Sequence, residues 1–133
     1  MQEKIIIDNT FATVRHNTQD NYLHHTFHQP ISGQPFRTIM NEALDYLTSH
    51  QVTKWLSDDR KNAAFRPEDV EFAVADWGPR AAEAGWQHWA LVVPEQVAAR
   101  ASMNKIVSVF FTMGVKVVIF TDLNKAKRWI SQQ

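Results

Sequence analysis

A chain of 133 residues, 44% apolar and 21% charged, has the make-up of one folded domain with a sizeable core, which excludes a disordered or low-complexity segment. Fourteen Lys and Arg balance fourteen Asp and Glu, so net charge draws it to neither nucleic acid nor anionic lipid. Cysteine is absent, which excludes thiol catalysis, thiolate metal sites and disulfides and fits a reducing compartment.

The opening stretch MQEKIIIDNT has only three consecutive isoleucines, too short an apolar region for a signal peptide. The longest apolar region, Val115 to Phe120, is interrupted by Lys116 and falls far short of the roughly 20 residues of a membrane span. A cytoplasmic protein with no membrane span is expected. Residues 4–8 and 10–16 read as two short strands joined at Asn9, an antiparallel hairpin. HNTQDN (16–21) is a second turn, carrying the Asn and Asp that favour such bends. The third strand, YLHHTFHQ (22–29), places Leu23, His25 and Phe27 on one face and Tyr22, His24, Thr26 and His28 on the other. Being half apolar, it is expected near an edge or an open face of the sheet.

PISGQPFRTIMNEALDYLTSH then opens a helix, with Ser32 as N-cap and Pro35 in the first turn. Phe36, Ile39, Met40, Ala43, Leu44 and Leu47 recur at helical spacing and pack against a sheet. Strand four is Val52 to Ser57. Pro67 starts a second helix, expected to kink or break at Gly78-Pro79 and to end near Gly85. QHWALVVP (87–94) and VKVVIF (115–120) are buried strands around a helical stretch over 95–113, and Thr121 caps a final helix over 122–131. Strands alternating with helices call for parallel pairing through right-handed crossovers. The sequence therefore predicts a single α/β domain over 1–133, a mostly parallel sheet with an N-terminal antiparallel hairpin, in the order βββαβαβαβα.

The chemistry-bearing residues fall into three groups. Ser57, Asp58, Asp59, Arg60 and Lys61 follow strand four, at the carboxyl end of a strand where α/β domains place ligands and partners. Arg60 has the fork to hold a carboxylate or phosphate. Asp58 and Asp59 are adjacent on a strand and point apart, which argues against a catalytic carboxylate dyad. Among six histidines, His24 and His28 share a strand face roughly 13 Å apart, and no His-Glu-x-x-His spacing occurs, so neither a metal nor a cofactor is expected. Five tryptophans are many for this length. Trp77 and Trp86 flank the break at Pro79, where an irregular helix leaves room for an apolar pocket.

The segments FRTIMNEALDYL, KWLSDDR, RPEDVEFAVADWGPRAAEAGWQHWALVVPE and VKVVIFTDLNKAKRWI are together similar to bacterial proteins of the STAS-like superfamily. That group includes the anti-sigma-factor antagonists and shares a layered α/β fold with CRAL-TRIO-type lipid carriers. The resemblance spans nearly the whole chain, through the Trp-Leu-x-Asp-x-Arg strand end and the final Ala-x-x-Trp-Ile helix. It implies a non-enzymatic regulator that binds a kinase-like protein and is switched by phosphorylation of a Ser or Thr after strand four. No Ser or Thr occurs from Asp58 through Arg100, so the usual acceptor position is not evidently filled. The expected function is protein binding or homodimer formation through Ser57 to Lys61 and the neighbouring turn with Ser32 and Gly33. The alternative is a carrier or sensor of a small apolar ligand at Trp77, Pro79 and Trp86, which an internal cavity there would favour.

Overall fold

Three strands lead the chain: β1 (Glu3–Asp8), β2 (Ala12–Asn17) and β3 (Tyr22–Phe27). In the first turn Asn9 Oδ1 accepts the N–H groups of Phe11 and Ala12, and in the second Asn17 Oδ1 accepts that of Asp20. Helix α1 (Gly33–His50) crosses to β4 (Lys54–Asp58). A compound helix follows, made of α2 (Pro67–Glu71), a π-helical turn (Phe72–Trp77) and α3 (Gly78–Glu83). Then come β5 (His88–Val92), α4 (Glu95–Ala98), α5 (Ala101–Thr112), β6 (Lys116–Phe120) and α6 (Leu123–Ser131). The computed structural model describes residues 3–62 and 65–133.

All six strands form one sheet in chain order, β1-β2-β3-β4-β5-β6. The pairs β1–β2 and β2–β3 are antiparallel, and β3–β4, β4–β5 and β5–β6 are parallel. A sheet that grows in one direction through right-handed crossovers puts every crossover helix on the same face. The two cores agree. On the first face Leu23, Trp55 and Val117 pack with α1, Trp77, Ala81 and Phe110. On the second, α6 alone supplies Ala126 and Ile130, against Tyr22, Leu56, Ala90 and Val92.

The register Leu23↔Trp55↔Trp89↔Val117 fixes which residues share the first face. His25, Ser57, Leu91 and Ile119 form the next row on the same face, toward the carboxyl ends of the strands. α1 turns its buried stripe of Phe36, Ile39, Met40, Ala43, Leu44 and Leu47 onto this sheet face. Each of the large side chains among them contributes about 1.5–3 kcal/mol by leaving water.

Three sequence expectations need correction. β3 is neither an edge nor an open strand: it lies between β2 and β4, and Tyr22, His24 and His25 are buried. His25 buries because Trp55 and Asp59 take both of its ring nitrogens, so a polar letter here does not mean a wet face. The second helix does not break at Gly78-Pro79 but widens one turn earlier, with Gly78 N–H donating to Ala73 O five residues back. Proline has no N–H to continue the ladder, and the wider turn ends just before it. The last helix is capped by Asp122, whose side chain accepts Lys125 N–H at 2.9 Å, rather than by Thr121. The N-cap position of α1 is Ser32 as expected, but its hydroxyl makes no cap bond. The first N–H of the helix, that of Gly33, instead goes to the carboxylate of Asp69 from α2, at 3.2 and 3.3 Å.

Candidate functional site

The carboxyl ends of β3, β4 and β5 face the compound helix and α5 across a cavity of about 670 Å³. This lies within the usual size range of small-molecule sites. Its walls are apolar: Phe27 and Leu91 from the sheet, Phe72 and Trp77 from the π-helical turn, Ile106 and Phe110 from α5. The π-helical turn bulges beside the cavity, and no Cβ fits at Gly78. One placed there would stand 2.5 Å from Ala73 O and 2.8 Å from the Phe110 ring.

Trp55, Trp77, Trp86 and Trp89 all line the cavity. Trp55 and Trp77 meet edge-on, as do Trp77 and Trp86, with 5.2 Å between the ring centroids of each pair. Each indole N–H has an acceptor inside the protein. Trp77 donates to Met40 O at 2.8 Å and Trp86 to His88 O at 3.2 Å. Trp55 donates to His25 Nδ1 at 2.9 Å and Trp89 to Ser57 Oγ at 2.8 Å. With their N–H groups spent, these rings offer a ligand mainly apolar surface.

One stretch of wall is polar. His25 and Asp59, 2% and 3% exposed, are joined at 2.7 Å from Nε2 to Oδ1. Because the Trp55 indole donates to Nδ1, the ring hydrogen sits on Nε2 and goes to Asp59. Ser57, His25 and Asp59 have the composition of a hydrolytic triad but not its hydrogen-bond geometry. Ser57 Oγ lies 3.5 Å from His25 Nδ1, whose one in-plane lone pair Trp55 already holds at 2.9 Å. No base is free to take the serine proton.

The opposite face of the sheet carries a separate polar group. Asp58 is held by Arg60 through two bonds of 2.8 Å, from Nε to Oδ1 and from Nη2 to Oδ2. Burial pushes the Asp58 carboxyl up, but the bonds and charge of Arg60 outweigh it and leave the carboxyl below its ordinary value. His24 is pushed down to about 3 by burial, with Lys127 adding repulsion and Asp58 opposing. Burial also lowers His88.

This has a measurable consequence. Between the ordinary histidine value of 6.5 and about 3, the unfolded chain binds a proton at His24 that the folded chain refuses. Stability is therefore unaffected above that window and falls as the pH drops through it, by roughly 1.4 kcal/mol per unit. Denaturant unfolding should show a loss of about 2 kcal/mol between about pH 7 and pH 5. His24→Gln should flatten most of that slope, leaving the smaller part due to His88. An equally steep slope in the variant would remove His24 as the cause.

The structure thus divides the residues singled out in the sequence. Ser57 and Asp59 line the cavity, whereas Asp58 and Arg60 pair on the other side of the sheet and Lys61 is exposed. Ser32 and Gly33 start α1, tied to the cavity wall through Asp69. Trp77 and Trp86 line the cavity and Pro79 does not. Ser57, the hydroxyl nearest the usual phosphate-acceptor region, is 2% exposed. Sequence reading missed His25, Asn62 and Asp69 as wall residues. The inward alternation of His25 was visible, but its pairing with Asp59 depends on strand register. Among the described residues no three His, Asp or Glu side chains converge as metal ligands would, and no helix is long and apolar enough to cross a membrane.

Comparison with the curated proteins found no match, and comparison with solved structures found none either. A family model described as SpoIIAA-like matches residues 22–131, which span β3 to α6 and all of the cavity wall. The chain belongs to the SpoIIAA-like family, within the STAS-like superfamily.

Proposed function

We propose that this protein is a non-catalytic regulator that holds one small, lipid-like molecule in the cavity between its sheet and the π-helical turn, and that a protein partner reads its occupancy. The observation that carries the reading is the cavity itself: about 670 Å³, mostly apolar, with four indoles on its walls. A concave, mostly apolar site of this size with a few polar groups is the usual form of a small-molecule site. Membership of the SpoIIAA-like family supports the regulatory role and the protein partner. The engagement of His25 Nδ1 by Trp55 supports the absence of catalysis. Asp58, Arg60 and Lys61 lie beyond the cavity and suit the partner's side of the molecule.

The test is titration with 1,6-diphenylhexatriene, which is dark in water and fluoresces in apolar surroundings. Its emission should rise and saturate at one molecule per chain. Ile106→Trp, which puts an indole into the cavity from a half-buried position on α5, should weaken binding roughly tenfold or more. Saturation unchanged by that variant would place the probe elsewhere and contradict the reading.

A further inference from the structure

Among the described residues the polar wall of the cavity holds one donor without an acceptor, at Asn62, and one with only a long, shared acceptor, at Ser57. Ser57 Oγ accepts the Trp89 indole hydrogen at 2.8 Å. Among the described residues its own hydrogen has His25 Nδ1 at 3.5 Å as acceptor, and Trp55 occupies that lone pair at 2.9 Å. Asn62 is 4% exposed and its Oδ1 accepts Ile31 N–H at 3.2 Å, but its Nδ2 has no partner among the described residues. Both residues line the cavity, and both come from the carboxyl end of β4 and the turn after it. Buried donors without an acceptor are costly, so a group that supplies one is favoured there over hydrocarbon.

Charge decides which acceptor fits. Asp59 stands between the two donors in sequence, and Asp69 adds a second buried carboxylate to the wall. A ligand carboxylate brought against them would meet like charge in a place with little water to screen it. The cations on the cavity lining, Arg100 and Lys105, are exposed residues of the α4–α5 region, away from β4 in the chain.

From these observations we infer, resting on the ligand-binding reading above, that the ligand is an uncharged carbonyl compound with a long apolar body. Its carbonyl oxygen is received by Ser57 O–H and Asn62 Nδ2, and its hydrocarbon lies among the tryptophans. Long-chain ketones and esters belong to this class and free fatty acids do not.

Displacement of diphenylhexatriene by three molecules of equal chain length, 2-tridecanone, tridecane and tridecanoate, tests it. The ketone should act at roughly tenfold lower concentration than the alkane, the worth of a buried hydrogen bond, and the carboxylate should be the weakest. The carbonyl stretch of bound, isotopically labelled ketone should lie below its value in hexane. It should move back toward that value in Asn62→Asp, which keeps the oxygen for Ile31 but loses the donor, and in Ser57→Ala. The stretch in the unaltered protein is a readout that holds even if a variant folds poorly. Equal action of ketone and alkane, or a stretch at the hexane value, would overturn this inference and leave the apolar site standing. Tightest binding by tridecanoate would overturn it by moving the polar end to Arg100 and Lys105. Failure of the probe itself to bind the cavity would overturn the ligand-binding reading and this inference with it.

Discussion

His25→Ala is expected to cost about 3–5 kcal/mol of folding stability, the range for removing one partner of a buried ionic or hydrogen-bonded pair. The alanine would leave the Asp59 carboxylate, 3% exposed, without the ring N–H it accepts at 2.7 Å. It would also strand the Trp55 indole N–H, which now donates to Nδ1 at 2.9 Å. Asp59→Asn is the informative control. Its amide oxygen still accepts from Nε2, so the loss should fall to about 1 kcal/mol. Chemical denaturation of the two variants side by side checks this. Equal, small losses in both would mean that water reaches Asp59 and that this wall of the cavity is wet.

The second large effect is expected at Gly78. Alanine is the better helix former by about 1 kcal/mol, so helix propensity alone predicts stabilisation. Packing predicts the reverse. The added Cβ would stand 2.5 Å from Ala73 O, the acceptor of the bond that closes the π-helical turn, and 2.8 Å from the Phe110 ring. A backbone carbonyl cannot swing aside as a side chain can, and overpacking of this kind costs about 1–3 kcal/mol. Packing should win, with Gly78→Ala less stable in denaturant and weaker in diphenylhexatriene binding, since the turn forms one wall of the cavity. A stabilised Gly78→Ala would show that the helix relaxes to an ordinary α-turn at little cost.

Much of this architecture is legible in the sequence because it depends on local period. The alternation Leu23-His25-Phe27 gives the inward face of β3, and the stripe Phe36 to Leu47 gives the buried face of α1. The expectation of room near Trp77 and Trp86 came from Gly78-Pro79, and both indoles do border the cavity although Pro79 does not. What could not be read depends on partners distant in the chain. His25 and Asp59 are 34 positions apart and meet only because Leu23 pairs with Trp55. Asp69 reaches Gly33 across 36 positions, so the hydroxyl of Ser32 carried no information about the cap. The π-helical turn depends on Gly78 N–H choosing Ala73 O over Val74 O, a choice for which the sequence carries no local signal. The interior place of β3 is hidden for a similar reason: two adjacent histidines look like a wet strand until their burial is known.

A proposed ligand site and a packing defect differ in what the freshly purified protein carries. The most direct test is native mass spectrometry of freshly purified protein, followed by organic extraction and a second spectrum. A ligand site should give a reproducible adduct of a few hundred daltons, one per chain, that is removed by extraction and is absent or greatly reduced in Ile106→Trp. An adduct that persists in Ile106→Trp, or protein that stays bare both as purified and after incubation with excess diphenylhexatriene, would exclude a ligand site.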